Sequence, residues 1–319
     1  MIPDLIVRFG GLGDVIMTLG FLRELSQSKK VFFLTDESYK EFLDHLILPN
    51  VNWIYTKRPI SPFLSKLQMA LAILENIGLL AFKHFNTIYF PYYDKRYQII
   101  TLLSFRSKIR DLNSLSLNKE IYFGDLLLNF IDKNKFEFPE ISLPKSFSKT
   151  TILCPGGNTS DLGKFLRKWP IENYKKLAKL LLNEHREFLI LGMADDRLNE
   201  LFPEYKNFIR NIDSLLETAK IFRASDCIVA GDSGLMHLGL LCKTNLIALF
   251  GPTLSSRRIP TNPQYSDKIK ILEERKNLSC SPCYDGKKYA VCKNPVCMRQ
   301  ITPEAVLEKI KEYENSYYS

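Results

Sequence analysis

The sequence predicts an α/β protein built from two Rossmann-like βα domains, and three observations carry that reading. Short, continuous apolar runs alternate with longer helical patterns along the whole chain, as in parallel sheets covered on both faces. At 319 residues the chain is about twice the usual single-domain length. In each half, a glycine-bearing turn follows a strand and opens a helix. The composition, 45% hydrophobic and 25% charged, excludes a disordered chain, a collagen and a membrane bundle.

In the first half, residues 5–9 read as a strand and residues 15–25 as the helix after it. Further strands are read at 31–34, 52–55 and 87–90. Residues 63–82 are the most apolar stretch, but Lys66 and Glu75 interrupt it, which argues against a membrane span. It is expected to be an amphipathic helix packed on the core. In the second half, strands are read at 151–154, 187–191, 227–230 and 245–250, separated by helices near 171–185, 214–222 and 235–242. Residues 136–150, with Pro139 and Pro144, form the best linker. The expected domains are therefore 1–145 and 146–319, meeting at a cleft by the carboxyl ends of their strands, where such folds bind ligands.

Lys and Arg number 44 against 35 Asp and Glu, a net charge of +9, which suits an anionic ligand or surface. The basic residues are scattered without an arginine-rich run, so nucleic acid is not the expected partner. The first residues lack the charged region and cleavage site of a signal peptide. A cytoplasmic protein with mostly reduced cysteines is expected.

Two segments carry chemistry. Arg8-Phe9-Gly10-Gly11-Leu12-Gly13-Asp14-Val15-Ile16 lets the backbone approach a ligand closely. A dinucleotide fingerprint would need glycine where Ile16 stands, so that reading fails. Asp14 at the helix start would be held ionised by the helix dipole. From the loop alone it is either a cap or a base for a hydroxyl. Gly231-Asp232-Ser233-Gly234-Leu235-Met236-His237 also opens a helix. Its backbone N–H groups, with the Ser233 hydroxyl and His237, would suit a pyrophosphate; a plain polar cap beside a core histidine is the other reading. Gly-Asp-Ser-Gly also surrounds the nucleophile of chymotrypsin-like proteases, but those are all-β and need a triad. A nucleophile elbow would need glycine in place of Leu235.

These segments, together with Pro155-Gly156-Gly157-Asn158, Arg167-Lys168-Trp169-Pro170 and Phe250-Gly251-Pro252-Thr253, resemble in order the motifs of the glycosyltransferase family that contains the ADP-heptose:lipopolysaccharide heptosyltransferases. The resemblance implies a GT-B architecture, with an acceptor domain followed by a nucleotide-sugar domain. It implies an inverting transfer that requires no cofactor, with Asp14 as base. Gly13, Arg167, Lys168, Asp232, Ser233, Gly234 and His237 would hold the donor. An acid after Leu191-Gly192, either Asp195 or Asp196, would hold the nucleoside. Arg8, Gly11, Lys95 and Arg96 would face the acceptor. The family's lysine two places before the tryptophan is Arg167 here, which binds phosphate as a fork and not as a point charge.

The implied partners are an ADP-heptose-type nucleotide sugar and a glycolipid or glycan acceptor, with room for peripheral contact at the inner face of the cytoplasmic membrane. Another nucleotide sugar, a protein Ser/Thr acceptor, a non-catalytic binder and an epimerase remain as alternatives. Cys280, Cys283, Cys292 and Cys297 pack four of seven cysteines into one short loop. A tetrahedral zinc or iron site and a set of free thiols or an oxidisable pair stand open there. Related heptosyltransferases that modify autotransporter proteins hold iron through four cysteines.

Overall fold

The structure, a computed structural model, describes residues 2–61, 64–91, 95–112, 115, 121–156, 165–193, 196–274, 278–280, 283 and 289–315. It divides into two compact units, Met1–Ser142 and Leu143–Ser319.

The first unit is a five-stranded parallel sheet of β1 (Asp4–Val7), β2 (Val31–Asp36), β4 (Val51–Thr56), β5 (His84–Phe90) and β6 (Phe105–Asp111), in the order β4-β2-β1-β5-β6. A two-residue antiparallel ladder, β3 (Leu46–Ile47) with β7 (Glu140–Ile141), lies beside it. Helix α1 (Leu12–Ser26) follows β1 and buries Val15, Ile16, Leu19, Leu22 and Leu25. The short α2 (Lys40–Leu43) follows β2. Helix α3 (Lys66–Leu80) joins β4 to β5, and α4 (Phe123–Leu128) packs on α1. One face of the sheet, with Leu5, Val7, Phe9, Leu34, Ile88 and Phe90, forms a core with Leu80, Tyr97 and Ile100.

Helix α3 forms within the apolar stretch 63–82 and meets the core through Leu80. Ser65 caps it, accepting from the Gln68 N–H while Gln68 accepts from the Ser65 N–H, a reciprocal box. The helix buries only Ala72, Asn76 and Leu80, while Leu67, Leu71 and Leu74 point outward. Asn76 sits on the inner side because its amide donates to the carbonyls of Ala72 and Lys57, tying the helix to the end of β4.

The second unit is a six-stranded parallel sheet of β8 (Thr151–Cys154), β9 (Phe188–Gly192), β10 (Ile209–Asn211), β11 (Cys227–Gly231), β12 (Asn245–Phe250) and β13 (Ile269–Glu273). Its order is β10-β9-β8-β11-β12-β13. Helix α5 (Ile171–Asn183) turns Tyr174, Leu177, Ala178 and Leu181 inward, a 3.6-residue stripe. Helices α6 (Leu198–Leu201), α7 (Leu215–Ala224), α8 (Gly234–Leu241), α9 (Pro263–Ser266) and α10 (Val296–Arg299) follow in order. The final helix α11 (Pro303–Asn315) packs on α5. Its Tyr313 hydroxyl donates to the carbonyls of Leu246 and Lys268.

The order in which strands are added reverses once in each sheet, between β1 and β5 and between β8 and β11. Ligands of open α/β sheets bind outside the carboxyl ends of the strands at such switch points. The segments after β1, β5, β8 and β11 are therefore where chemistry is expected.

Candidate functional site

In the first unit, β1 delivers Arg8 and the glycine loop to the switch point. Gly10 has φ +148°, and a Cβ there would lie 3.0 Å from the Asp14 carboxylate, so only glycine fits. Asp14 stands in the first turn of α1. One carboxylate oxygen accepts from the Gly11 N–H at 3.2 Å and the other lies 3.2 Å from the Arg8 guanidinium. The Asp14 side chain is nonetheless 44% exposed, against 6% for Arg8. Arg8 also donates to the carbonyls of Asp14 and Pro91 and lies over the Phe123 ring. Its placement makes it a positioning partner of Asp14, buried beneath the loop. The Tyr39 hydroxyl donates to the Gly10 carbonyl at 2.9 Å. Burial, with the charges of Asp36 and Asp14, pushes that phenol well above its ordinary range. Capping and exposure therefore coexist at Asp14: it accepts from its own helix start and still presents carboxylate surface.

The other residues expected on this side are less gathered. Arg96 is exposed in the 3₁₀ turn Lys95–Thr101. The side chain of Lys95 and residues Tyr92, Tyr93 and Asp94 lie outside the described residues. Arg58, at the end of β4, donates to the Tyr97 hydroxyl at 3.3 Å.

The second unit builds its site around a buried acid. Asp232 directly follows β11, with its side chain 3% exposed. Arg167 lies 3.3 Å from its carboxylate and donates to its carbonyl at 2.7 Å. Arg258 and His237 lie 3.7 and 3.9 Å from the carboxylate, and the Thr253 hydroxyl donates to it at 2.9 Å. Burial alone would push this carboxyl up. Arg258, Arg167, His237 and the Thr253 hydroxyl outweigh it and hold the group below the usual carboxylate range. Asp232 is thus an organiser of cations. Both arginine side chains keep about a fifth of their surface exposed, 22% for Arg167 and 21% for Arg258.

Ser233 caps α8, its hydroxyl accepting from the Met236 N–H at 3.4 Å. Gly231 lets the Arg167 backbone pass close, since a Cβ there would lie 3.1 Å from the Arg167 carbonyl oxygen. The arrangement sets two guanidinium groups, the start of α8 and buried His237 at one strand end, a combination suited to an anion.

Asp196 lies at the adjoining strand ends. It accepts from the Met193 N–H at 2.8 Å. A Cβ on Gly156 or Gly192 would come within 2.2 or 2.7 Å of its carboxylate, so these two glycines make the room it occupies. Burial lowers the Lys168 amine, with Asp196 opposing the shift. Asp195, Asn158 and Lys164 lie outside the described residues. Trp169 belongs to the core and donates from its indole N–H to the Ile301 carbonyl at 2.8 Å.

Arg258 and Thr253 were not anticipated as site residues. Their only sequence signal was position: Thr253 closes the Phe-Gly-Pro-Thr segment, and the Arg257-Arg258 pair follows shortly after.

Of the four clustered cysteines, Cys297 lies in the hydrophobic core with its sulfur against Gly251. Cys280 is exposed, and Cys283 and Cys292 are half-buried. Burial, with the neighbouring thiols Cys280, Cys297 and Cys292 adding, pushes Cys283 up to about 11. Among the described residues no three His, Cys, Asp or Glu side chains are disposed to hold a metal ion. The zinc or iron expectation therefore finds no support in this geometry.

Residues 134–292 match the family described as Glycosyltransferase family 9 (heptosyltransferase). The chain belongs to glycosyltransferase family 9. Lipooligosaccharide heptosyltransferase 2 of Campylobacter jejuni serotype O:6 is 30% identical over 209 residues, covering 63% of this chain and 60% of that relative. A second Campylobacter jejuni heptosyltransferase 2, from serotype O:2, is 28% identical, with 64% of its length covered. The chain thus spans less than two thirds of these curated relatives. The solved structure of E. coli ADP-heptose lps heptosyltransferase II superimposes with a TM-score of 0.70 at 18% identity, covering 100% of both chains. E. coli heptosyltransferase WaaC with ADP gives 0.70 at 16% identity, covering 98% of this family 9 chain and 100% of its own. These likenesses establish the GT-B fold, two sheet-bearing Rossmann-like domains.

Proposed function

We propose that this family 9 protein is an inverting glycosyltransferase that moves a heptose from an ADP-heptose-type nucleotide sugar to a hydroxyl of a lipopolysaccharide-core acceptor. The observation that carries the reading is the Asp232 cluster, where a buried carboxylate fixes Arg167, Arg258 and His237 beside the N-terminus of α8. Transfer of a sugar from a nucleoside diphosphate leaves negative charge on the departing phosphate. Preorganised cations and backbone N–H groups stabilise such charge most where it develops. The relatives' names supply the sugar, and the ADP-bound neighbour supplies the nucleotide.

In this reading the acceptor hydroxyl attacks the anomeric carbon from the face opposite the nucleotide. Asp14 takes the hydroxyl proton as the new C–O bond forms, and the bond from the anomeric carbon to the phosphate oxygen breaks. The electron pair leaves on ADP, held by Arg167, Arg258, Ser233, Gly234 and His237. Asp196, Asp195 and Lys168 are assigned to the nucleoside side, and Gly13 to the donor backbone contact. Gly11, Lys95 and Arg96 are assigned to the acceptor, with Arg8 acting through Asp14. The protein would work in the cytoplasm, at the inner face of the membrane. The reading requires both strand-end sites to serve one bond.

The test offers purified protein ADP-heptose, UDP-sugars and GDP-sugars with a deacylated inner-core oligosaccharide, and reads products by mass spectrometry. A heptose-sized mass gain with ADP-heptose alone is expected. Transfer from another nucleotide sugar would replace the donor assignment, and no transfer from any donor, with ADP still bound, would make the protein a binder.

A further inference from the structure

We propose that the outer face of α3, with the turn and edge strand beside it, docks on the surface of an anionic lipid bilayer. The inference rests on the reading that the acceptor is a glycolipid, and names the surface that would bring the protein to it.

The observation is an inverted helix. In water a helix turns its large apolar residues inward and its polar residues outward. Here the inner side of α3 is Ala72, Asn76 and Leu80, while Leu67, Leu71 and Leu74 are 70%, 58% and 63% exposed. These three are spaced four and three apart, so they share one face. The apolar surface does not stop at the helix. Phe82, at 77% exposure, leads out of α3, and its N–H donates to the Leu103 carbonyl. The Phe105 N–H donates to the Lys83 carbonyl, and Leu103 and Phe105 are themselves more than half exposed. Single exposed apolar side chains need no explanation, but three outward leucines on one helix, followed by Phe82 on its outgoing turn with Leu103 and Phe105 beside that turn, do.

Charge selects the occupant. Residues 57–96, which run from the end of β4 through α3 and β5, carry six Lys or Arg against two acids, Glu75 and Asp94, a net +4 of the chain's +9. Lys66 and Lys83 lie at the two ends of α3, and both are exposed. An apolar face rimmed by cations is the pattern of an interfacial helix, whose leucines enter the headgroup boundary while its lysines meet anionic lipid. Spanning is excluded for this element: its 15 residues reach only about 22 Å, against a hydrocarbon core of about 30 Å. Among the described residues no helix is long and apolar enough to cross a membrane. An acidic protein partner would explain the charge but has less use for outward leucines spread over a helix, a turn and an edge strand.

The experiment is co-sedimentation of the full chain with vesicles of phosphatidylcholine alone and with 30 mol% phosphatidylglycerol. The wild type is expected in the pellet with the anionic vesicles, with binding reduced severalfold by high salt and by neutral lipid. The double variant Leu71→Glu, Leu74→Glu is expected to lose at least tenfold in vesicle affinity. Both positions are solvent-facing, so ADP affinity and thermal midpoint serve as folding controls. A second variant, Lys66→Glu with Lys83→Glu, leaves the leucines in place and should lose binding to anionic vesicles only. Wild-type protein remaining in the supernatant with anionic vesicles overturns the proposal. So does a wild-type dimer that Leu71→Glu, Leu74→Glu converts to monomer, which would assign the face to a second copy. Vesicle binding without sugar transfer to the deacylated acceptor would remove the proposed reaction and leave the docking surface standing.

Discussion

Two aspartates, each following a strand at a switch point, have opposite surroundings in the two units. Asp14 follows β1, has one buried arginine and one backbone N–H as partners, and leaves 44% of its side chain in solvent. Asp232 follows β11, is 3% exposed and is ringed by Arg167, Arg258, His237 and Thr253. The same carboxylate is presented in one place and spent in the other. A group that is to exchange a proton with a substrate must be reachable. A group that is to hold cations in place does so best where water cannot compete. The roles proposed for the two aspartates follow from burial and partner count, and residue type alone does not reveal them.

The comparison is most exposed to a test at Asp14. Asp14→Asn keeps the shape and the acceptor for the Gly11 N–H but removes the base proposed for the reaction. Turnover is expected to fall about a hundred- to ten-thousand-fold, with ADP affinity by calorimetry within about twofold. Turnover within tenfold of wild type would leave Asp14 a helix cap. Asp232→Asn should act in the opposite way, through stability and donor binding. It leaves Arg167 and Arg258 without their buried counter-charge, a loss of about 3 kcal/mol in denaturant unfolding together with weaker ADP binding. Unchanged ADP affinity in a folded Asp232→Asn protein would detach the cluster from the donor.

A pH series sharpens the same point. The folded Asp232 carboxyl is held below its ordinary value, so its contribution is fully present above the unfolded value and lost as the pH falls through the folded one. The stability gap between wild type and Asp232→Asn should hold steady from pH 8 to about pH 5 and close in acid below about pH 4. The smallest effect belongs to Thr253→Val, which removes one hydroxyl donor from a carboxylate that keeps its other partners. About 1 kcal/mol is expected, read as a lower unfolding midpoint.

The central strands and the two switch-point turns were legible in the sequence because a strand buried on both faces is a continuous apolar run, and because glycine and aspartate mark a strand-to-helix turn. What escaped is mostly at the edges. The strands β6, β10 and β13, with sequences FRSKIRD, IRN and IKILE, are outer strands whose charged residues break the apolar run. Helix α3 was legible as a helix packed on the core, which it meets through Leu80, but which of its apolar residues would face inward was not. Apolarity says that a helix wants company and does not say on which side, and Asn76 takes its place on the inner side by binding the Lys57 carbonyl. At the site, Asp14 and the stretch from Asp232 to His237 announced themselves through local spacing. Arg258 and Thr253 could not, since their meeting with Asp232 depends on β12 running beside β11 and on the turn after it. The burial of Arg8 beneath the loop, against Asp14, is likewise a tertiary fact that its place in the sequence does not carry.

Trp169 links two distant parts of the second unit. Its indole, two residues after Arg167, is anchored to the Ile301 carbonyl, which also accepts from the Asn173 amide. The stretch just ahead of the last helix thus acts as a doorstop for the segment that carries Arg167, which the proposed reaction sets beside the departing phosphate. Shortening the polypeptide to before Ile301 would free that hinge as well as uncover the core. If Arg167 holds the nucleotide as proposed, trimming the tail would be felt in ADP affinity as well as in the melting curve.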